Sequence, residues 1–210
     1  MANYLEQTEA LILLVPGYAN GGPSDWMKAW EAQRTDCQRL DLGMWDKPHR
    51  NTWVNQLNLA IHRAERPVIL VAHDIACLAV AWWAEYERPD FADPVIGALL
   101  VAPPDVDRPG ADPRLAPFGA CPRQPLPFPS FVAGDRRARQ PQLVTTTQLA
   151  SDWDSLFTLD EVDGHGWESG QYLLGRLLRE HTPAAPVPVV RPQMADRGAV
   201  RLPVRKAAYA

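Results

Sequence analysis

The stretch PVILVAHDIACLAV, residues 67–80, decides the fold of this chain. Its first six residues form a continuous apolar run, which is typical of a strand buried on both faces of a parallel sheet. From Ala76 onward the residues are again apolar, and they predict a buried helix over 76–86. A strand, a sharp turn and a helix in this order are typical of a nucleophile elbow, the turn that presents a catalytic side chain at the end of a strand.

The turn departs from the usual elbow sequence, Gly-x-Ser-x-Gly. Its five positions are Ala72, His73, Asp74, Ile75 and Ala76, so aspartate stands in place of serine and alanine in place of both glycines. Aspartate enters the left-handed backbone region more readily than most residues, and the turn therefore tolerates this substitution. The functional question is what a carboxylate does where a hydroxyl is usual.

Apolar runs alternate with helical patterns along most of the chain. Strands are predicted at 10–17, 37–42, 67–73, 95–104, 129–135 and 156–162, and helices at 24–33, 52–64, 76–86, 141–153 and 170–181. Ser24 is a candidate N-cap of the first helix, and the stretch 103–129 is too rich in proline for regular structure. This alternation indicates an α/β fold, with a mainly parallel sheet covered by helices on both faces.

The chain length of 210 residues suits one compact domain, which we assign to residues 1–182. Residues 183–210 form a Pro/Arg-rich tail whose charges are Arg191, Arg197, Arg201, Arg205 and Lys206 against Asp196. One interpretation is a solvated, extended tail. The other is an arm that docks on another subunit, giving a homodimer, or that covers a site.

Composition excludes several classes of function. The formal net charge of −4 gives no case for nucleic-acid binding, and no apolar run is long enough for a membrane span. The N-terminus lacks the basic start and apolar core of a signal peptide. Three widely spaced cysteines (Cys37, Cys77, Cys121) indicate reduced thiols in a cytoplasmic protein, with Cys77 a buried apolar residue rather than a nucleophile. The sequence has no dinucleotide-binding or phosphate-loop motif, and its histidines do not have metal-ligand spacing. No cofactor or metal is therefore predicted.

Ligands of parallel α/β sheets bind at the carboxyl ends of the strands. Polar residues and sharp turns follow the predicted strands at Gly17-Tyr18, Asp74, Pro103-Pro104-Asp105, Asp135 and His165. Hydrolases with an elbow carry nucleophile, acid and histidine in that chain order. Asp74 and His165 are therefore the candidate catalytic pair, and Asp135 is a possible acid.

The remaining candidate residues surround this pair. An oxyanion hole is made of backbone N–H groups, one from the residue after the nucleophile and one from a loop after an earlier strand. Ile75 and Tyr18 hold these positions, and neither needs a particular side chain. Gly17 and Trp167 are candidate pocket residues because both lie at the same end of the predicted sheet.

Five stretches resemble a known family: VPGYANGGPSDWMKAWE, VAHDIACLAVAWWA, GALLVAPPDVDRP, PLPFPSFVAG and GHGWESG. They are similar to the small serine hydrolases of the α/β-hydrolase superfamily that are related to retinoblastoma-binding protein nine, over about residues 10–180. The resemblance implies an α/β-hydrolase fold. Family members usually carry HS-x-G-C at the elbow and two aspartates after the fifth strand. Here Asp74 replaces the serine of the elbow, and His165 matches the catalytic histidine of the family. The position of the family's acid falls near Ala138, and Asp135 lies three residues earlier.

Three kinds of chemistry remain open for Asp74. An ionised carboxylate attacks sp³ carbon, as in haloalkane or epoxide opening, and His165 would then activate water to hydrolyse the resulting ester; other α/β-hydrolase families use aspartate in this way. A hydrogen-bonded pair of Asp74 and His165 would instead suit proton transfer, as in a cyclase, lyase or isomerase. In the third case catalysis is lost and the pocket of a pseudoenzyme only binds a ligand or partner. A plain helix N-cap is the structural alternative for Asp74.

Overall fold

Strands and helices alternate along residues 10–17, 24–162 and 166–181, which are the residues that the computed structural model describes. Within them lie six strands: β1 (Leu11–Val15), β2 (Cys37–Arg39), β3 (Val68–His73), β4 (Val95–Val101), β5 (Ser130–Asp135) and β6 (Leu156–Asp160). The five α-helices of the same residues are α1 (Asp25–Gln33), α2 (Arg50–Arg63), α3 (Ala76–Glu87), α4 (Gln140–Asp152) and α5 (Glu168–His181). Every predicted strand and helix has its counterpart, with ends shifted by a few residues.

All strand pairs of the sheet are parallel, and the order is β2-β1-β3-β4-β5-β6. The chain moves outward from β1 to β2 and then returns to the other side of β1 to form β3. This reversal is a topological switch point, where the connections that leave two neighbouring strands diverge and open a crevice. The carboxyl ends of β1 and β3 border that crevice. The predicted α/β architecture is confirmed.

The sheet is buried on both faces. One face packs against α2, α3 and α4, with Leu70 and Ala72 of β3 among the buried contacts. The other packs against α1 and α5 and includes Ile69 and Val71 of the same strand. Neighbouring strand residues therefore enter different halves of the core, which explains why the strands are continuously apolar.

The proline-rich stretch 103–129 has more structure than its composition predicts. Residues Pro113–Phe118 form a 3₁₀ helix, and the Asp112 side chain accepts a hydrogen bond of 2.9 Å from the Arg114 backbone N–H at its start. Proline is tolerated in a first helical turn, where backbone N–H groups lack intrahelical acceptors. Phe118 is fully buried, and its carbonyl accepts a 3.1 Å hydrogen bond from the Trp82 indole N–H.

Two further predictions concern the ends of the fold. Ser24 holds the N-cap position of α1, but its side chain makes no capping hydrogen bond, so the predicted capping interaction is wrong. Residues 183–210 lie outside the described residues, and the domain boundary at 182 stays a prediction. Among the helices that the structure describes, none is long and apolar enough to cross a membrane.

Candidate active site

A sharp turn joins β3 to α3 at Asp74. Its φ angle of 55° lies in the left-handed region, which non-glycine residues rarely adopt. The Asp74 backbone N–H donates a 2.8 Å hydrogen bond to the Val101 carbonyl of β4, and the Asp74 carbonyl accepts one of 3.0 Å from the Cys77 N–H. The backbone at Asp74 is thus held from both sides. This is the strained strand–turn–helix geometry of a nucleophile elbow, with a carboxylate at its apex.

Gly17 brings the end of β1 against this turn. A Cβ atom at position 17 would lie 2.5 Å from the Asp74 Cβ and 2.4 Å from the His73 carbonyl oxygen. Both distances are too short for real carbon contacts, so only glycine permits this approach. Gly17 and Asp74 therefore border the switch-point crevice together.

The structure makes Ile75, rather than Asp74, the N-cap residue of α3. The alternative of Asp74 as a plain helix cap is therefore wrong, because Asp74 precedes the cap and has a left-handed backbone. The Ile75 N–H lies at the helix start, where helical geometry supplies no intrahelical acceptor. Its proposed partner in an oxyanion hole, Tyr18, lies outside the described residues, and the oxyanion hole stays a prediction.

His73 is a site residue that the sequence analysis did not single out. It is the last residue of β3, its side chain is half-buried, and its ring lies edge-on to Trp26 with centroids 6.0 Å apart. Burial lowers the pKa of His73, although the carboxylates of Asp74 and Asp135 partly offset this effect. His73 is consequently a neutral imidazole at neutral pH. Its position at the carboxyl end of a central strand was the signal that could have identified it.

Asp135 ends β5 and is engaged by its neighbours. Its carboxylate accepts hydrogen bonds from the Arg137 backbone N–H at 3.0 Å and from the Arg137 guanidinium at 3.3 Å. The same guanidinium donates a 3.2 Å hydrogen bond to the Val162 carbonyl. Arg137 therefore links the end of β5 to the chain that follows β6. Ala138 lies in the same turn, and its N–H donates a 2.9 Å hydrogen bond to the Asp135 carbonyl.

His165 itself lies outside the described residues, but both flanks of its loop are described. Val162 is buried on one side and bonded to Arg137. On the other side the Gly166 carbonyl accepts a 2.8 Å hydrogen bond from the Trp30 indole N–H of α1. These contacts hold the two ends of the loop at the carboxyl edge of the sheet. Pairing of His165 with Asp74 stays a prediction.

Trp167 is buried in an aromatic cluster between α1 and α5. Its ring stacks on Trp30 with an interplanar angle of 12° and meets Trp26 edge-on with centroids 5.1 Å apart. Its indole N–H donates a 2.9 Å hydrogen bond to Asp160. With 4% of its surface exposed, Trp167 packs in the core, and its predicted place in a pocket is not tested by this packing.

Asp160, at the end of β6, is a second polar residue that the sequence analysis missed. Burial raises the pKa of Asp160, but hydrogen bonds from the Trp167 indole and the Ser169 hydroxyl outweigh this effect and leave the pKa below its usual value. The carboxylate thus remains ionised and anchors the first turn of α5. Its place near the carboxyl end of the predicted strand at 156–162 was the available signal.

Cys77 is fully buried at the start of α3, as predicted. Its thiol donates to the carbonyls of Ala72 and Val101, both at 3.4 Å, and burial raises its pKa well above the usual value. A protonated, enclosed thiol is a poor nucleophile. Among the residues that the structure describes, no cluster of three or more His, Cys, Asp or Glu side chains has a metal-binding arrangement.

Several solved structures have folds similar to this one. A protein from Pectobacterium atrosepticum described as YdeN-like hydrolase is 22% identical, with a TM-score of 0.68 over 83% of this chain and 94% of its own. The ydeN gene product of B. subtilis is 17% identical, with a TM-score of 0.58 over 82% of this chain and 98% of its own. A monoacylglycerol lipase from Paleococcus ferrophilus is 11% identical, with a TM-score of 0.50 over 80% and 94%. At these identities the likeness establishes the α/β-hydrolase fold.

The sequence establishes the family. The profile of the family described as Serine hydrolase matches residues 12–173, which is most of the chain, and the protein belongs to this family. A search of curated proteins found no match. The nearer relation to retinoblastoma-binding protein nine stays a prediction.

Proposed function

We propose that the protein is an α/β-hydrolase-fold enzyme that acts on a small, fairly apolar organic molecule through the carboxylate of Asp74. The observation that carries the proposal is the left-handed backbone of Asp74, at a φ of 55°, beside the switch-point crevice. A strained residue of this kind is typical of catalytic positions. Membership of the Serine hydrolase family supports hydrolysis as the reaction class.

The proposed reaction has two steps. A carboxylate oxygen of Asp74 attacks an sp³ carbon, and the bond from that carbon to a halide or epoxide oxygen breaks with its electron pair. The product is an ester between Asp74 and the substrate. Water then attacks the carbonyl carbon of this ester while His165 accepts the water proton, and the alcohol leaves as the Asp74 carboxylate is restored. The N–H groups of Ile75 and Tyr18 would stabilise the oxyanion of the second step.

The charges near Asp74 support its role as an anion. Burial lowers the pKa of the adjacent His73, so this imidazole is neutral and does not form a competing ion pair with the carboxylate. The N-terminus of α3 lies directly after Asp74, and the helix dipole favours negative charge there. The proposed nucleophile therefore needs no base to activate it, in contrast to serine.

Two alternatives use the same residues differently. Proton transfer between Asp74 and His165 without an ester would make the protein a cyclase, lyase or isomerase. The lack of a free catalytic acid in the described turn after β5 favours a pseudoenzyme that only binds. Ala138, near the position of the family's acid, has no carboxylate, and the carboxylate of Asp135 is hydrogen-bonded to Arg137. In each case we expect a cytoplasmic protein that needs no cofactor or metal.

The test is turnover of activated esters, epoxides and haloacids by the wild type and by Asp74→Asn. We expect one of the alkylating classes to react, and the variant to lose at least about 10³-fold in kcat/KM, or about 4 kcal/mol of transition-state stabilisation. Asp25→Asn is the matched control, since Asp25 is an exposed carboxylate whose recorded partner is Lys28. It should retain full activity.

Mass spectrometry separates the nucleophile from the base. With a reactive substrate, His165→Gln should accumulate one substrate-derived group on the peptide that contains Asp74. Turnover that depends on Asp74 without any such adduct would favour proton transfer. Absence of turnover from the wild type across the whole panel would contradict hydrolysis of these classes and favour the binding role.

A further inference from the structure

A groove of about 490 Å³, lined by both apolar and polar residues, lies between the outer strand β6 and helix α5. Phe131 and Leu156 line it from the sheet, and Tyr172 and Leu173 from the helix. Leu156 and Tyr172 are 57% and 64% exposed. Among the described strands, β6 is at the edge of the sheet. The groove thus has the features of a peptide-binding surface.

α5 ends at the edge of the sheet where β6 begins. Trp167, before the first turn of α5, bonds to Asp160 at the carboxyl end of β6. Further along the helix, the Arg176 guanidinium lies 4.9 Å from the ring centre of Phe131, near the amino end of β5. α5 therefore runs antiparallel to the strands and ends at the edge of the sheet where the strands begin, with Leu177 beside Gly97 of β4, two strands from β6.

We propose that residues 186–190 of the same chain, with the sequence PVPVV, bind in this groove. Proline-rich segments take the polyproline II conformation and bind grooves lined by aromatic residues, at little cost in conformational entropy. On the face of the sheet that carries α5, the aromatic residues that line the groove are Tyr172, which is 64% exposed, and Phe131, which is 4% exposed. The two prolines and three valines supply matching apolar surface without long side chains to order.

The lengths agree. Four steps of polyproline II helix span about 12 Å. Four steps along β6, from Leu156 to Asp160, span about 13 Å. The helix continues for about 7.5 Å beyond Arg176, and residues 182–185 reach about 13 Å when extended, which is enough to return to the groove.

The direction and the charges also agree. A segment that enters beside Leu156 runs towards Asp160 and Glu161 at the carboxyl edge, and Arg191 directly follows the PVPVV sequence. The tail beyond α5 carries five basic residues and one acidic residue, whereas the whole chain has a formal net charge of −4. The tail and the rest of the chain therefore attract each other electrostatically.

Handedness favours binding in the groove over addition of a seventh parallel strand. On the face that carries α1, the chain moves from β1 to β2, towards one side of the sheet. α5 covers the same face, so a right-handed crossover from β6 would turn back towards β5, which already pairs with β6. An outer parallel strand would need the rare left-handed connection.

The test is limited proteolysis of the full chain with elastase, which cleaves after small aliphatic residues, followed by mass spectrometry. We expect cleavage after Val189 and Val190 to be slow in the wild type, compared with a synthetic peptide of residues 182–210. Tyr172→Asp and Leu156→Asp should each accelerate it about tenfold, because cleavage tracks the undocked population. Val144→Asp is the matched control, since Val144 is 60% exposed on α4 and should leave the rate unchanged.

The substituted side chains are exposed, so the variants should unfold at the same urea concentration as the control. We expect sedimentation velocity to show a monomer, and we expect the protection of residues 186–190 from elastase to persist when the protein is diluted. Equal cleavage of the wild type, the groove variants and the peptide would overturn the proposal. A dimer whose protection from elastase disappears on dilution would also overturn the proposal, because it would show that residues 183–210 bind a second copy of the chain.

Discussion

The packing of Gly17 against the elbow makes Gly17→Ala an informative perturbation. The added methyl group would lie 2.4 Å from the His73 carbonyl oxygen and 2.5 Å from the Asp74 Cβ. Neither atom belongs to the far end of a flexible side chain, so the backbone of β1 or of the turn must move. We expect this overpacking to cost about 1–3 kcal/mol.

A smaller effect opposes this cost. Alanine restricts the unfolded chain more than glycine does, which stabilises the folded state by about 0.4–1 kcal/mol. The net loss in the free energy of unfolding is therefore about 1–2 kcal/mol. For a chain of this size each kcal/mol lowers Tm by about 2–4 °C, and we expect a decrease of about 2–8 °C.

Urea unfolding and thermal melting measure this loss, with Gly175→Ala as the matched control. A Cβ at position 175 would meet only the flexible Arg179 guanidinium, at 3.3 Å. Alanine is also favoured over glycine inside a helix by about 1 kcal/mol, so this variant should be as stable as the wild type or more so. If Gly17→Ala is as stable as Gly175→Ala, the close approach of β1 to the elbow is refuted.

The remaining predictions concern Asp160 and the thiols. Trp167→Phe removes the indole N–H donated to Asp160, and loss of this hydrogen bond should lower the free energy of unfolding by about 1 kcal/mol at neutral pH, in addition to a loss from the smaller ring in the core that does not depend on pH. The pKa of Asp160 is lower in the folded state than in the unfolded state, so its contribution to stability is present above the unfolded pKa and is lost as pH falls. The difference in free energy of unfolding between the wild type and Trp167→Phe should therefore shrink below pH ~4. An equal difference in urea titrations at pH 7 and pH 3 would contradict this role. Burial raises the pKa of Cys37 and Cys121 to about 12 and that of Cys77 well above its usual value, so iodoacetamide at pH ~8 should label all three only after unfolding. Rapid labelling of native Cys77, detected by mass spectrometry, would indicate a reactive thiol beside the elbow.

The order of strands and helices could be predicted because each depends on a local pattern. β3 and α3 illustrate this, since a buried strand and a buried helix both appear as apolar runs separated by a polar turn. Ends were harder to predict. β2 was predicted to extend to Leu42 but ends at Arg39, because its recorded pairing with β1 stops there. The 3₁₀ helix Pro113–Phe118 was missed because composition alone does not show that Phe118 is buried against Trp53, with ring centres 5.5 Å apart.

Some residues of the candidate site could be predicted from the sequence, and others could not. Asp74 was predicted from the elbow pattern, and the structure gives it the expected left-handed backbone. His73 was not singled out, although it ends the same strand. Trp167 stacks on Trp30 between α1 and α5, a contact that the sequence did not indicate, and its predicted place in a pocket stays a prediction.

The sequence by itself determined the α/β architecture, the elbow at residues 72–76 and the carboxylate at its apex. These features follow from the spacing of apolar residues and from the conformational preference of aspartate, which act over a few neighbouring positions. Only the tertiary structure decided that Gly17 touches Asp74, that Trp30 bonds to Gly166 and that Arg137 joins Asp135 to Val162. Such contacts join residues far apart in the chain, and they form only when the strands and helices pack, so no local pattern encodes them.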